Sequence, residues 1–590
     1  MRPPVFHLGF FTKKNISVFL FLFLAFLAAP FARAQTTYYW DTNDATTGFG
    51  TAGGTWAAPT TNNSTQGWST SSTGTTALSG TTNTTTSDAL NFGTGTASYG
   101  LGAGTITVSG TVSANSLTFG SQSGAIVLSG GTISLGGTTP TITVNNAADT
   151  ISSAIIGSAG LTKNGTGSLT LSGSSTYSGN TTINAGTLKA GSTTGLSSSS
   201  AVSVAAGATL DLGGFNNTIS SLSTATGTIT DSSSAGSGGR LRISTAMPSA
   251  TNAQLFTGSL GLQLFGGSTT DSILTNTANT YSGGTVFGNG TGVTFTRLFA
   301  SSTIGAGSPG AVTSGIYGTG PITMGASTTD RVQFYFNGAA TINYGIIVNS
   351  AAGGGGADIG AFRAESAGTV LAGSINANLA DAVFNANNAA GRTISVTGAI
   401  SGNSGVTVST SGSGGLTLTL NATSGANTYA GNTTISTANA TLTLGKADQI
   451  SNGAGKGDLI INSGTLRMAG FSETINGLIG NGTVDGVSGT PTLTVGDNNA
   501  TSTFSGVIKN TAGTLALTKN GTGTLTLSGA NTYNGTTTVN AGTLSMTGVS
   551  GYKTTALSVA SGATLGITMT GNSTSGGANT SGTWTSFKVQ

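Results

Sequence analysis

Residues 161–188 read LTKNGTGSLTLSGSSTYSGNTTINAGTL, and residues 517–544 repeat them as LTKNGTGTLTLSGANTYNGTTTVNAGTL. Of the 28 aligned positions, 22 are identical. Partial copies occupy residues 279–287 and 415–436, and all four copies contain Thr-Tyr-x-Gly. A unit repeated at this length indicates an architecture that stacks one copy upon the next.

Within the repeat, apolar and hydroxyl side chains alternate at every second position. In Ser168-Leu169-Thr170-Leu171 the two leucines share one face of a strand, and the hydroxyl residues share the other. Clusters of Gly, Asn and Ser bound each run, so we predict strands of about 4–6 residues. The predicted core positions of the two full repeats are Leu169, Leu171, Tyr177, Ile183, Leu188, Leu525, Leu527, Tyr533, Val539 and Leu544.

Strands this short cannot bury an apolar face alone, but coils stacked on one another enclose a continuous dry interior. We therefore predict an all-β fold in which residues 101–590 form an elongated parallel β-helix of degenerate repeats. At roughly 20–25 residues per coil and ~4.8 Å between strands, the rod would be about 100 Å long. Asn164-Gly165 and Asn520-Gly521 are strong hairpin signals. They leave an antiparallel β-prism or meander array as the alternative fold.

The first 100 residues differ from the repeat region. Residues 1–34 combine a basic start, an apolar run and the small-x-small end Ala32-Arg33-Ala34, which predicts a signal peptide cleaved after Ala34. Residues 35–100 are polar and contain Trp40, Trp56 and Trp68. These rings could stack on sugars, but we favour a cap, because the first coil of a solenoid must cover its open end.

Composition excludes several classes of site. The chain has no Cys, and its one His, His7, lies in the predicted signal peptide, so His- or Cys-based nucleophilic catalysis and zinc binding are unavailable to the mature chain. Without residues 1–34 the chain carries 15 basic and 16 acidic residues. This near-neutral balance gives no basic surface for nucleic acid. We predict no cofactor and no metal.

The repeat pattern resembles the passenger-associated transport repeat, also called the autotransporter-associated β-strand repeat. The resemblance implies an exported β-helical passenger of a Gram-negative cell, structural or adhesin-like at the cell surface or secreted. Because autotransporters end in an outer-membrane barrel and the repeat pattern continues to Gln590, it also implies either a barrel beyond this sequence or a separate outer-membrane translocator. A host surface, matrix or polysaccharide ligand would be compatible with this role.

Two other functions remain open from the residues alone. A carbohydrate-active β-helix enzyme, a lyase or glycosidase, would need acids and bases converging in one groove. The densest charged stretch contains Asp330, Arg331, Asp358, Arg363, Glu365, Asp381 and Arg392. A binder of ice or another regular surface would need threonine pairs in register on one flat face. The pairs are Thr417/Thr419, Thr441/Thr443, Thr492/Thr494 and Thr524/Thr526. We favour the non-enzymatic rod, which needs neither a groove of converging acids and bases nor a flat threonine face.

Overall fold

A computed structural model gives the fold, an all-β solenoid of about 19 turns built from parallel stacked strands. The prediction of a parallel β-helix is confirmed. The predicted signal peptide and its cleavage site at Ala34 lie outside the described residues. The structure describes residues 35–57, 67–76, 83–223, 226–234, 238–245, 253–264, 274, 276–288, 295–300, 303–350, 361–387, 389–547, 554–568 and 588–589.

Six long sheets form the walls of the solenoid, and the strands of each sheet succeed one another along the stack. Sheet A contains Trp68–Ser69, Thr37–Trp40, Ala89–Phe92, Ser116–Phe119, Thr141–Val144, Leu161–Asn164, Thr181–Ile183, Ala201–Val204 and Ser221–Leu222. Sheet B contains Thr55–Ala57, Gly104–Ala114, Ile126–Leu135, Ala148–Ile151, Ser168–Leu171, Thr187–Ala190, Thr209–Asp211, Thr228–Asp231 and Leu255–Gly258, with Ala154–Ile156 added beside Ile126–Leu135. Sheet C contains Asn217–Ile219, Arg240–Ile243, Gly261–Leu264, Thr285–Phe287, Ile322–Met324, Ile346–Val348, Ile375–Ala377 and Ile400–Ser401.

The other three long sheets continue the stack towards the C-terminus. Sheet D contains Phe295–Ala300, Arg331–Phe336, Phe362–Ala364, Ala382–Ala386, Val406–Val408, Thr433–Ile435, Leu459–Ile461, Leu478–Gly480, Ser502–Phe504, Thr524–Leu527, Thr543–Thr547 and Thr564–Thr568. Sheet E contains Thr341–Ile342, Thr369–Leu371, Arg392–Val396, Leu416–Leu420, Ala440–Leu444, Thr465–Ala469, Thr483–Ser488 and Val507–Asn510. Sheet F contains Glu473–Ile475, Thr492–Val495, Ala516–Lys519, Thr537–Val539, Leu557–Val559 and Lys588–Val589.

Strand pairing within the described residues is parallel with two exceptions. Thr37–Trp40 pairs antiparallel with Trp68–Ser69 at the start of sheet A, and Ala306–Ser308 forms a small hairpin with Ala311–Ser314. The antiparallel alternative is therefore wrong. Gly165 does adopt the left-handed turn, with φ +76°, that an Asn-Gly step indicates. The turn carries the chain round a corner, from Leu161–Asn164 in sheet A to Ser168–Leu171 in sheet B.

The alternation of the sequence decides which side chains enter the interior. In Ser168–Leu171 both leucines are buried, whereas Ser168 and Thr170 are partly exposed. Leu169 stacks between Asp149 in one neighbouring coil and Leu188 in the other. All ten predicted core side chains of the two full repeats are at most 1% exposed. The buried residues join into one continuous core along the solenoid.

Helical structure is scarce in this fold. Ala97–Tyr99 forms one turn of 3-10 helix. Within the described part of the chain, no helix is long and apolar enough to cross a bilayer.

Candidate functional site

The charged stretch nominated for catalysis uses its side chains to hold the backbone. The Asp330 carboxylate accepts hydrogen bonds from the Ala326 and Ser327 amides, at 2.7 and 3.0 Å. The Asp381 carboxylate accepts one from the Gly405 amide, at 2.7 Å, and one from the Thr407 hydroxyl, at 3.2 Å. Such carboxylates fix turns and the contact between coils.

Arg363 and Glu365, from the same stretch, form an ion pair with 2.6 Å between Arg363 Nε and Glu365 Oε1. The Arg363 guanidinium also lies over the Tyr335 ring, 5.4 Å from its centroid. Arg331 and Arg392 begin strands of sheets D and E, and Asp358 lies outside the described residues. No group of three or more His, Cys, Asp or Glu residues that could hold a metal ion occurs among the described side chains.

The tryptophans of the N-terminal region are interior residues. Trp40, Trp56 and Trp68 are each at most 1% exposed. The Trp68 ring meets those of Trp40 and Trp56 edge to face, with centroids 4.8 and 5.6 Å apart. Rings buried in this way offer no face to a sugar, so they contribute to the first coils of the core and not to a stacking site.

The four threonine pairs fall on three different sheets. Thr417/Thr419 and Thr441/Thr443 are direct neighbours in register on sheet E. Thr492/Thr494 lies on sheet F, and Thr524/Thr526 lies on sheet D. One flat face containing all four pairs, as the ice-binding alternative requires, is therefore absent from the described strands.

The Thr-Tyr-x-Gly core of the repeat places a tyrosine inside the solenoid. All four tyrosines are at most 1% exposed. Each forms a hydrogen bond between its hydroxyl and that of the threonine four residues later. The pairs are Tyr177–Thr181 at 2.8 Å, Tyr281–Thr285 at 2.5 Å, Tyr429–Thr433 at 2.5 Å and Tyr533–Thr537 at 2.9 Å. In each pair, two buried hydroxyls satisfy one another inside an apolar interior.

The two residues before the tyrosine bind the preceding coil. In the copy around Tyr429, Asn427 Oδ1 accepts the Ile400 amide at 2.7 Å, and the Thr428 amide donates to the Ile400 carbonyl at 2.8 Å. Asn279 and Asn531 hold Phe256 and Ile508 in the same way, and the repeat at 161–188 has Ser175 at this position. The Asn-Thr pair thus binds both the amide and the carbonyl of one residue in the preceding coil.

The glycine two residues after the tyrosine allows two coils to approach closely. A Cβ atom on Gly431 would lie 2.5 Å from the Gly405 backbone nitrogen. Side-chain carbon atoms do not approach backbone that closely, so this position requires glycine.

A buried lysine in each full repeat was not predicted as part of the core. Lys163 and Lys519 are both 0% exposed. The Lys163 ammonium donates to the carbonyls of Asn164, Gly165 and Ala185, at 2.9, 2.9 and 3.2 Å. Lys519 makes the equivalent three bonds. Burial lowers the pKa of Lys163 to about 8. The sequence did indicate this burial, because Lys163 lies two residues after Leu161 and therefore on the same face of the strand.

Two buried carboxyls were also missed. The Glu473 carboxyl oxygens accept the Gln449 and Ile450 amides, at 2.8 and 2.9 Å, and burial raises the pKa of Glu473 to about 8. Asp149 accepts the Ile126 amide at 2.8 Å, and burial raises its pKa to about 6. Both carboxyls fix contacts between neighbouring coils, as the buried asparagines do.

Comparisons with known proteins agree with the repeat. The profile of the Passenger-associated-transport-repeat family matches residues 161–190 and 517–546. A segment of 148 residues is 39% identical to the "Adhesin BmaC autotransporter" of Brucella suis biovar 1 (strain 1330). The match covers 24% of this chain and only 4% of that adhesin. No solved structure gives a significant match.

Proposed function

Because this chain carries two passenger-associated-transport repeats on a β-solenoid, we propose that it acts as an exported, passenger-like rod with a structural or adhesin-like role at the cell surface. The observation that carries the proposal is the repeat itself. Its signature residues bracket the preceding coil, as Asn427 and Thr428 do, or fill the interior, as Tyr429 does. The partial likeness to an autotransporter adhesin supports the same role.

The contacts of the charged stretch support a role without catalysis. The Asp330 and Asp381 carboxylates bind the chain's own amides, and Glu365 binds Arg363. A general acid or base needs an oxygen within hydrogen-bonding reach of substrate, whereas Asp330 Oδ2, both Asp381 oxygens and Glu365 Oε1 already have structural partners. The rod would therefore work through its surface and its length.

Export forms part of the proposal. Residues 1–34 would direct the chain across the inner membrane, and an outer-membrane translocator would release it to the exterior. A chain without cysteine suits this route, since no disulfide can form in the periplasm before the outer membrane is crossed.

Export is tested by expressing the chain with its own residues 1–34, fused to an autotransporter translocator, in a Gram-negative host. We expect a mature N-terminus at Gln35 and digestion of the rod by protease added to intact cells. The matched control lacks residues 2–34 and should remain inside. Uncleaved chain in the cytoplasm of cells with the full sequence would contradict the proposal.

The role at the surface needs a separate assay. Cells displaying the rod should adhere to a host matrix or aggregate more than cells displaying the translocator alone. Purified protein should leave acidic and neutral polysaccharides unchanged in length. Polysaccharide cleavage that Asp330→Asn or Glu365→Gln abolishes would favour the enzyme alternative instead.

A further inference from the structure

The outer face of sheet A is uncharged along its whole described length. Between residues 35 and 223 the charged residues are Asp41, Asp44, Asp88, Asp149, Lys163, Lys189 and Asp211. Asp41, Asp88, Asp149 and Lys163 are buried. Lys189 and Asp211 form an ion pair at 3.2 Å on sheet B, and Asp44 lies in a turn near the N-terminus. None of the seven points outward from sheet A.

Two columns of side chains in register cover this face. The first contains Thr37, Ala89, Ser116, Thr141, Thr162, Thr182 and Ser203. The second contains Tyr39, Asn91, Thr118, Thr143 and Asn164, and the Asn184 amide continues it by donating to Asn164 Oδ1 at 2.9 Å. At ~4.8 Å per strand, the first column spans about 29 Å.

Most members of the columns carry a group that both donates and accepts hydrogen bonds. A hydroxyl has one donor and two acceptor lone pairs, and a primary amide has two donors and one acceptor oxygen. Thr118 and Thr143 are partly exposed and make no side-chain hydrogen bond to any described residue. Their hydroxyls are therefore available to a partner.

We propose that this face binds a neutral polysaccharide chain lying along the columns, parallel to the axis of the rod. The proposal deepens the adhesin-like role and rests on it for its biological setting. The absence of charge disfavours nucleic acid and anionic polymers, whose binding depends on basic side chains. Sugar hydroxyls, in contrast, complement an uncharged array of donors and acceptors.

The regular spacing of the columns favours a polymer over a single sugar. One pyranose unit of an extended β-linked glycan advances by a distance comparable to one coil, so most successive sugars would meet a hydroxyl or amide side chain. A protein partner is a poorer fit, because protein interfaces are anchored by clustered aromatic residues and Arg. The face has one aromatic ring, Tyr39, which already stacks on Phe49 at 5.7 Å. Ice is also a poorer fit, because Ala, Ser, Thr and Asn alternate irregularly along the columns.

The test measures binding of the purified full-length chain to an insoluble neutral β-glucan by co-sedimentation. We expect binding that is unchanged between low and high salt. Thr118→Val with Thr143→Val removes two neighbouring hydroxyls at nearly constant shape and should weaken binding about tenfold. The matched control is Thr150→Val with Thr170→Val, an equivalent neighbouring pair on sheet B, beside Lys189.

A second pair of variants distinguishes loss of the binding face from loss of folding. Thr143→Lys adds a charge to the face and should abolish binding, whereas Thr170→Lys on sheet B should not. Equal β-glucan affinities for the sheet A variants and the sheet B variants would overturn the proposal. So would salt-sensitive binding to polygalacturonate, inhibition of ice growth without glucan binding, or self-association through sheet A. Because purified protein is used, a negative result leaves the proposed surface display standing.

Discussion

Replacing Tyr429 by Phe removes one hydroxyl from the interior without changing the shape of the ring. The Tyr429 hydroxyl bonds Thr433 at 2.5 Å, and the Thr433 hydroxyl has no other side-chain partner among the described residues. The substitution therefore leaves a buried hydroxyl unsatisfied, which destabilises a protein by about 1–3 kcal/mol.

Tyr177→Phe is the matched comparison. Thr181 bonds Tyr177 at 2.8 Å but also bonds the Ser200 hydroxyl at 2.8 Å. It keeps a partner after the substitution, so the expected loss is only about 0.5–1.5 kcal/mol, the net value of one hydrogen bond.

The assay must resolve single coils, because a solenoid is stabilised by nearest-neighbour contacts and unfolds locally. Hydrogen exchange of the Thr428 amide, bound to the Ile400 carbonyl, reports on one site, and the Thr176 amide, bound to the Ile155 carbonyl, reports on the other. Exchange at Thr428 should accelerate about 5–150-fold in Tyr429→Phe, and exchange at Thr176 about 2–10-fold in Tyr177→Phe. Unchanged exchange at Thr428, or equal acceleration at both sites, would refute the reasoning.

Three further predictions concern the core, one buried acid and one close contact. Leu525→Ala, at a side chain 0% exposed, should lower stability to urea by about 2–5 kcal/mol, whereas Thr526→Ala on the outer face should change it by less than about 1 kcal/mol. Glu473 has a pKa raised to about 8, so the folded chain holds a proton that the unfolded chain releases above its ordinary pKa of 4.5. This stability is full below pH 4.5 and is lost as the pH rises through about 8, and urea midpoints measured in Glu473→Leu should lack that slope. Gly431→Ala places a Cβ atom 2.5 Å from backbone and should destabilise its coil in hydrogen exchange, whereas Gly415→Ala, with its nearest contact at 3.7 Å, should not.

The outcomes that contradict these three predictions differ. Equal urea midpoints for the leucine and threonine variants would reverse the assignment of inner and outer faces. The raised pKa of Glu473 predicts a urea midpoint that falls between pH 5 and 8. A wild-type midpoint that rises over this range would contradict it. Normal exchange in Gly431→Ala would mean that neighbouring coils can separate without loss of stability.

The alternating pattern was sufficient to predict the strands, and the repeated unit was sufficient to predict their stacking. Leu169 and Thr170 differ in face because successive residues of a strand point in opposite directions, whatever lies around them. The same rule, applied to Leu161, would also have placed Lys163 inside. Of its three carbonyl partners, Asn164 and Gly165 are adjacent in the sequence, but Ala185 comes from the next coil, and that contact could not be predicted.

The assignment of strands to sheets could not be predicted. Period two fixes the face of a residue, but the side of the solenoid on which a strand lies depends on the turns before it. Thr441 and Thr524 occur in similar Thr-Leu-Thr-Leu runs, yet one lies on sheet E and the other on sheet D. The uncharged columns of sheet A were hidden for the same reason, since they join residues about 20–50 positions apart.

The unequal lengths of the coils have an evolutionary consequence. Leu161 pairs with Thr181, 20 residues later, whereas Phe295 pairs with Arg331, 36 residues later, and both pairings are parallel. Extra residues of a longer coil are therefore accommodated between its strands, and the parallel pairing of the strands is kept. Unequal recombination between near-identical segments such as 161–188 and 517–544 can add or remove the whole block of coils between them. Each event would change the reach of the rod by ~4.8 Å per coil and create no new type of contact.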